Sequence, residues 1–444
     1  MNDLSTLPHK SIFSRYGFRI TLLLCIHVVI CCWSLAYVAD SYPAIVDFNR
    51  ARLHLALLSA AAFAVVSLLF AASRFSFGYF LGFYFYTMIL GYLWLLEFSQ
   101  LPYDHRLAWI SIFLSGLAFF APVLFITSPI RQRIVLSRHI FEILPYLILT
   151  LGLIVVAVGA SYNFRLVNLT EIYKFREGLE FPALLRYATG ITSSTLLPVA
   201  FACFVMRRKP FGAGAALLLI LLFYPITLTR TTLVAPFWLL FLTLLSTAFE
   251  IRISVILSLL LPVASGIALK LLSDARAVPL ALEAQYFAAI NYRTVAIPSI
   301  ALDVYNDFFS THALTHFCQI NIFTLFFDCP YDEQISLVMS KAYQLGALNA
   351  SLFATEGIAS VGPALAPLSA LGCGLVIAFA NRLSFGLPPK FIFLSSGVLP
   401  QIFLNVPLST TLLSNGAALL FFLWYITPRT VLKDSRSPNE DSRQ

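Results

Sequence analysis

Apolar blocks about twenty residues long recur along the chain, separated by short polar joints. A helix needs about twenty apolar residues to cross roughly 30 Å of hydrocarbon, so each block reads as a spanning helix. The pattern predicts twelve, at approximately 18–39, 53–72, 77–98, 107–127, 142–160, 183–205, 211–229, 232–249, 254–272, 355–380, 391–407 and 411–427. Pro388, Pro389, Pro400 and Pro407 fall in or beside the last two and are placed to split or tilt them. The first block lacks a convincing small-residue cleavage site and reads as an uncleaved first helix.

The basic residues orient this pattern. With a cytoplasmic N-terminus, Lys10, Arg15, Arg19, Arg74, Arg131, Arg133, Arg138, Arg207, Arg208, Lys209, Arg252, Arg382 and Lys390 share the cytoplasmic side with Arg429, Lys433, Arg436 and Arg443. Short loops rich in Lys and Arg stay inside, so both termini are expected in the cytoplasm. The expected organisation is therefore a cytoplasmic segment 1–17, nine spans over 18–272, a large outer loop 273–354, three spans over 355–427 and a polar cytoplasmic tail 428–444. A smaller outer loop covers 161–182. No inverted repeat is visible.

Composition agrees with that architecture. The chain is 59% hydrophobic and 11% charged, against about 25% charged in soluble proteins. The class is an all-α polytopic membrane protein. The net charge of +8 has to be divided by membrane side before it implies a partner, so no nucleic-acid partner is expected.

The stretch DVYNDFFSTHALTHFCQINIFTLFFDCPYDEQ, residues 303–334, interrupts the oily pattern with Asp, Glu, His and Cys. Cys318 and Cys329 are a disulfide in an oxidising compartment or two free thiols in a folded loop. His312 and His316, spaced i and i+4, would share one face of a helix. Without the Glu of H-E-x-x-H they make no metalloprotease motif; proton handling or polar packing is expected, not a metal site. The outer arginines singled out are Arg165, Arg176, Arg186, Arg230, Arg276 and Arg293. A guanidinium fork grips two phosphate oxygens together and keeps its charge, which suits a diphosphate headgroup; snorkelling to the headgroup layer accounts for some of them. The carboxylates Asp303, Asp307, Asp328, Asp332, Glu333 and Glu356 are either wet loop groups or bases able to take a proton from an attacking sugar hydroxyl. No Walker loop, Rossmann fingerprint or D-x-D pair is present.

The stretch NYRTVAIPSIALDVYNDFF resembles the Arg–Pro–Tyr–Phe pattern of Wzy-type O-antigen polymerases, at Arg293, Pro298, Tyr305 and Phe309. Asn349, Glu356, Gly362 and Asn381 or Arg382 are similar to that family's Asn-to-Gly segment, and TRTTLVAPFWLLFLTLL looks like its Arg-led helix, with Arg230 leading. The similarity covers roughly 225–385; where the family often has a second Gly, Pro363 follows Gly362. The resemblance implies a GT-C-like bundle in the bacterial inner membrane that extends undecaprenyl-diphosphate-linked repeat units into a surface polysaccharide on the periplasmic face. It implies lipid-linked oligosaccharide substrates, membrane lipid and a chain-length regulator protein as partners, and no cofactor. Arg230, Arg293 and Arg276 would hold diphosphate, Tyr305 and Asn349 would contact substrate, and Glu356, Asp307 or His316 would be the base. A flippase of lipid-linked oligosaccharide and a glycan ligase are the competing readings.

Overall fold

The computed structural model describes residues 15–38, 46–167, 181–320, 328–345 and 350–429, with 172, 175, 179 and 348. Among these residues the structure is helical, apart from one antiparallel bridge between Val46 and Ser99. The protein is a multi-pass membrane protein: among the described residues ten helices are long and apolar enough to cross a bilayer. They are α1 (Gly17–Val38), α2 (Arg50–Ala72), α3 (Phe77–Leu96), α4 (His105–Phe125), α5 (Arg138–Tyr162), α6 (Ala183–Met206), α7 (Pro210–Thr227), α8 (Arg230–Ala248), α9 (Ile251–Asp274) and, after three shorter helices, Phe353–Ser384. The shorter ones are α10 (Leu280–Ala289), α11 (Ile297–Thr311) and α12 (Ile335–Tyr343), which makes the tenth long helix α13. Four short helices follow: α14 (Pro389–Ser395), α15 (Leu399–Phe403), α16 (Leu408–Leu413) and α17 (Ala417–Ile426).

Ten of the twelve expected spans are therefore long helices, and the last two are not. The block 391–407 is divided between α14 and α15, and 411–427 between α16 and α17. The prolines explain the first break. Pro400 has no N–H to return to Ser396, and α14 stops with Ser396 as its C-cap. Pro407 caps the start of α16. Gly416 then turns with φ 78°, a left-handed conformation that needs glycine and separates α16 from α17.

The chain forms two compact units. The first comprises Met1–Phe75, Leu81–Phe125 and Arg252–Leu375. Its axis is α3, whose sequence is apolar on every side and which is buried along its whole length. Aromatic rings fill the space around it: Phe63 stacks on Tyr86 at 5.3 Å, and Phe70 meets Phe83, Tyr86 and Phe120 edge-on. Some of its buried polar groups pair across helices: His27 Nε2 meets Thr87 Oγ1 at 2.8 Å and Tyr84 Oη meets Ser258 Oγ at 3.0 Å. Gly91 lets α11 approach α3, because a Cβ there would lie 2.5 Å from Ser299 Oγ.

The second unit comprises Ser76–Phe80, Ile126–Ile251 and Val376–Gln444. Side chains close its broken helices. Trp238 Nε1 donates to Gly397 O at 3.0 Å, Trp424 Nε1 to Ser395 Oγ at 3.0 Å, and Thr195 Oγ1 to Asn415 O at 2.7 Å. Asn163 Nδ2 caps the carbonyls of Pro225 and Ile226, where α7 ends.

Candidate functional site

Two of the anticipated site residues sit in widened helical turns of the first unit. Arg293 lies in a π-turn, Tyr292–Ala296, and Glu356 in another, Phe353–Ala359. A π-turn returns each N–H five residues back, and such turns concentrate at functional sites. Proline accounts for the first. Pro298 lacks the N–H that would return to Thr294, and its ring crowds that carbonyl, so the preceding turn opens. A third π-turn, Thr192–Leu196 in the second unit, precedes Pro198 in the same way. Arg293 is half-buried, and its side chain has no ion-pair partner among the described residues.

The helix between these turns, α11, is not among the long apolar helices and carries a polar seam. Asp303 is 2% exposed. It accepts a hydrogen bond from Ser99 Oγ at 2.7 Å and another from Tyr103 Oη. The Tyr103 hydroxyl also meets that of Tyr92 at 3.1 Å, which accepts from Asn306 Nδ2 at 3.0 Å. One turn along the same face, Asp307 accepts from Tyr343 Oη at 2.6 Å. Burial raises Asp303 from the usual carboxylate range to about 6, against the opposing pull of its Tyr103 and Ser99 bonds. Burial likewise keeps the Tyr103 and Tyr343 phenols protonated.

The sign of this shift makes a prediction. A carboxyl whose folded value lies above its unfolded one binds more protons in the folded state. Its stabilising effect is fully present below about pH 4 and is lost as pH rises through about 6. Asp303→Asn should flatten that part of the thermal-stability profile of the detergent-solubilised protein. Parallel profiles for wild type and variant between pH 4 and 7 would rule out Asp303 as the source.

Glu356 is buried, 3% exposed, in a turn clamped from outside by the segment after α11. Pro363 offers no N–H to Ala359 O, and Thr315 N–H takes that place at 2.8 Å. Gln319 Nε2 and Ser360 Oγ donate to Thr355 O at 3.4 and 2.7 Å. Pro367 leaves the Pro363 carbonyl in turn to Ser111 Oγ. Gly362, at φ 76°, makes the kink between the two arrangements. Cys318 and Cys329 form a disulfide, with Cα atoms 5.2 Å apart, which holds the clamping segment next to Gln319. Pro363 thus creates the docking point for the clamp.

The remaining anticipated residues divide. Tyr305 is 1% exposed, packs against Phe309 at 5.8 Å and hydrogen-bonds the Thr355 side chain. The expectation that His312 and His316 share a helical face is corrected: α11 ends at Thr311, and His316 takes φ 47° in the following turn. His312 stacks on Phe308 at 3.9 Å. Among the described residues no group of three His, Cys, Asp or Glu could hold a metal. Arg276 is exposed in the turn after α9 with φ 60°. Arg230 opens α8 in the second unit, half-buried behind the hydroxyls of Thr227, Thr229 and Thr232. Arg165 and Arg186 are exposed in that unit. Asn349 and Arg176 lie outside the described residues.

Asp303 is among the carboxylates the sequence offers, but its partners Tyr103, Tyr92, Ser99 and Asn306 are not. The available signal was the i, i+4 pair Asp303 and Asp307 ahead of an aromatic run. Chemically the seam can hold a proton. No family model, no curated protein and no solved structure matches the chain.

Proposed function

We propose that the chain is a glycosyltransferase with a GT-C-like bundle that polymerises undecaprenyl-diphosphate-linked oligosaccharide repeat units at the periplasmic face of a bacterial inner membrane. One observation carries this reading. The four positions of the Arg–Pro–Tyr–Phe pattern lie on one short helix and the π-turn that leads into it, packed against the π-turn that bears Glu356. In the proposed reaction an acceptor sugar hydroxyl attacks the anomeric carbon of the donor. The bond to the diphosphate oxygen breaks, the carrier diphosphate leaves with the electron pair, and the hydroxyl proton passes to a carboxylate. Arg293, with Arg276 of the same unit, stabilises the charge on the departing diphosphate, the type of interaction that usually contributes most to such a step; Arg230, in the second unit, is a separate candidate for holding diphosphate. Glu356, Asp307 and His316 are the groups offered as base, and a chain-length regulator protein is the expected partner.

Deleting the gene in its host tests the reading. The expected result is loss of the polymer ladder, with a single repeat unit accumulating on its lipid carrier and accessible to an enzyme added outside spheroplasts. An unchanged ladder would count against polymerisation. A repeat unit trapped inside would point to the flippase instead.

A further inference from the structure

In the second unit, an extended segment, 126–137, is stitched to the ends of α13 and α17. Leu136 N–H donates to Ile426 O at 2.9 Å, and Arg382 Nε donates to Ser128 O at 3.1 Å. The Tyr425 hydroxyl accepts from Arg133 N–H at 2.8 Å and donates to Arg131 O at 3.2 Å. Between those two residues, Gln132 Nε2 caps the carbonyls of Tyr425 and Thr427 at the end of α17. The backbone is thereby held so that Arg131 and Arg133 stand exposed on either side of Gln132.

The charge on this platform is of one sign. Residues 105–141 and 357–433 contain no Asp or Glu, whereas Arg131, Arg133, Arg382, Lys390 and Arg429 all belong to these stretches. Arg429 is the unusual member. Its Nε and Nη2 are buried and have no hydrogen-bond acceptor among the described residues. Its side chain lies over Gly386, which has φ 84° and where a Cβ would come within 3.1 Å of Arg429 Cδ. Partial burial pulls the pKa of this guanidinium down, against an opposing effect of Tyr425. Loop charges that only set topology are served by solvated side chains; they give no reason for buried guanidinium nitrogens. The apolar body of α17 ends just before it, at Ile426, and cations that flank apolar helices are the ones that meet lipid phosphates.

We propose that Arg429, with Arg382, Arg131 and Arg133 around it, binds the phosphate of an anionic lipid headgroup. The phosphate oxygens supply the acceptors that Nε and Nη2 lack, in the two-pronged geometry an Arg fork favours. The site is independent of the glycosyl-transfer chemistry.

Native mass spectrometry of the full-length protein in neutral detergent tests this, with phosphatidylglycerol, phosphatidylcholine and inorganic phosphate as separate probes. Wild type should retain phosphatidylglycerol over phosphatidylcholine, and Arg429→Ala should lower that preference about tenfold, the factor that corresponds to about 1.4 kcal/mol. Arg429→Lys should recover only part of it, because an ammonium is a point charge without the fork. If Arg429→Ala does not fold, the Arg131→Ala/Arg133→Ala pair, altered only at exposed positions, should show a smaller loss in the same measurement. Equal retention of the two lipids by wild type would overturn the proposal, as would a preference unchanged in every variant that folds. Binding of inorganic phosphate that displaces the lipid completely would overturn the lipid assignment.

Discussion

Arg293→Ala is expected to stop chain extension while the protein remains at its normal level in the membrane. The structural ground is that Arg293 occupies a π-turn, half-buried, with no ion-pair partner among the described residues. Its removal should therefore leave little structural damage, and the charge it holds is available to a ligand. Removing one preorganised group from the place where negative charge develops costs about 10²–10³-fold in turnover. Arg293→Lys separates charge from geometry: it keeps the charge but loses the planar fork, so partial recovery is expected. The measurement is extension of a purified lipid-linked repeat unit by protein in detergent or nanodiscs, with protein quantified in parallel. Polymer ladders of normal length at normal protein levels in Arg293→Ala would remove Arg293 from the reaction and weaken the polymerase reading with it.

Gly266→Ala is expected to produce the largest loss of stability from a single methyl group. In most helices this exchange stabilises by about 1 kcal/mol, because Ala restricts the unfolded chain. Here a Cβ would lie 1.8 Å from Asn291 Oδ1 and 2.5 Å from its Cγ. Asn291 is fully buried, and its Nδ2 donates to Ser34 Oγ at 3.0 Å and to Val263 O at 2.9 Å. To admit the methyl, the amide has to move and give up those bonds. Overpacking costs about 1–3 kcal/mol, and each lost bond within a membrane bundle adds roughly 0.6 kcal/mol. The clash thus outweighs the propensity gain, and the sign reverses. Asn291 directly precedes the π-turn of Arg293, so activity should fall together with the melting temperature. The double variant Gly266→Ala/Asn291→Ala removes the obstacle and should be less destabilised than the sum of the two single changes. Strict additivity in thermal unfolding would show that the two residues do not collide.

Much of the bundle was legible in the chain. The predicted span 18–39 appears as 17–38, 183–205 as 183–206 and 254–272 as 251–274. The same hydrophobic pattern failed at 391–427, where local chemistry outranks hydropathy: Pro400, Pro407 and Gly416 break the backbone, although the side chains remain apolar. Arg293 and Glu356 were visible as charged residues beside apolar spans. The π-turn of Arg293 comes from Pro298, whose missing N–H acts on the turn before it. Asp303 was grouped with the ordinary loop carboxylates, since nothing near it in the chain indicates burial.

The sequence by itself determined that this is a helical, multi-pass membrane protein, where its long helices lie and where its polar island interrupts them. The reason is local. In hydrocarbon every backbone N–H and C=O must find a partner within its own segment, so a sufficiently long apolar run has essentially one solution. Only the tertiary structure decided which polar groups of the island are shielded from water and which partners they take. Ser99 and Tyr103 reach Asp303 across about 200 positions of chain, Thr315 replaces the N–H that Pro363 lacks, and Cys318 joins Cys329. Each of these depends on segments brought together by packing, and a carboxyl's proton affinity follows from that enclosure rather than from its neighbours in sequence.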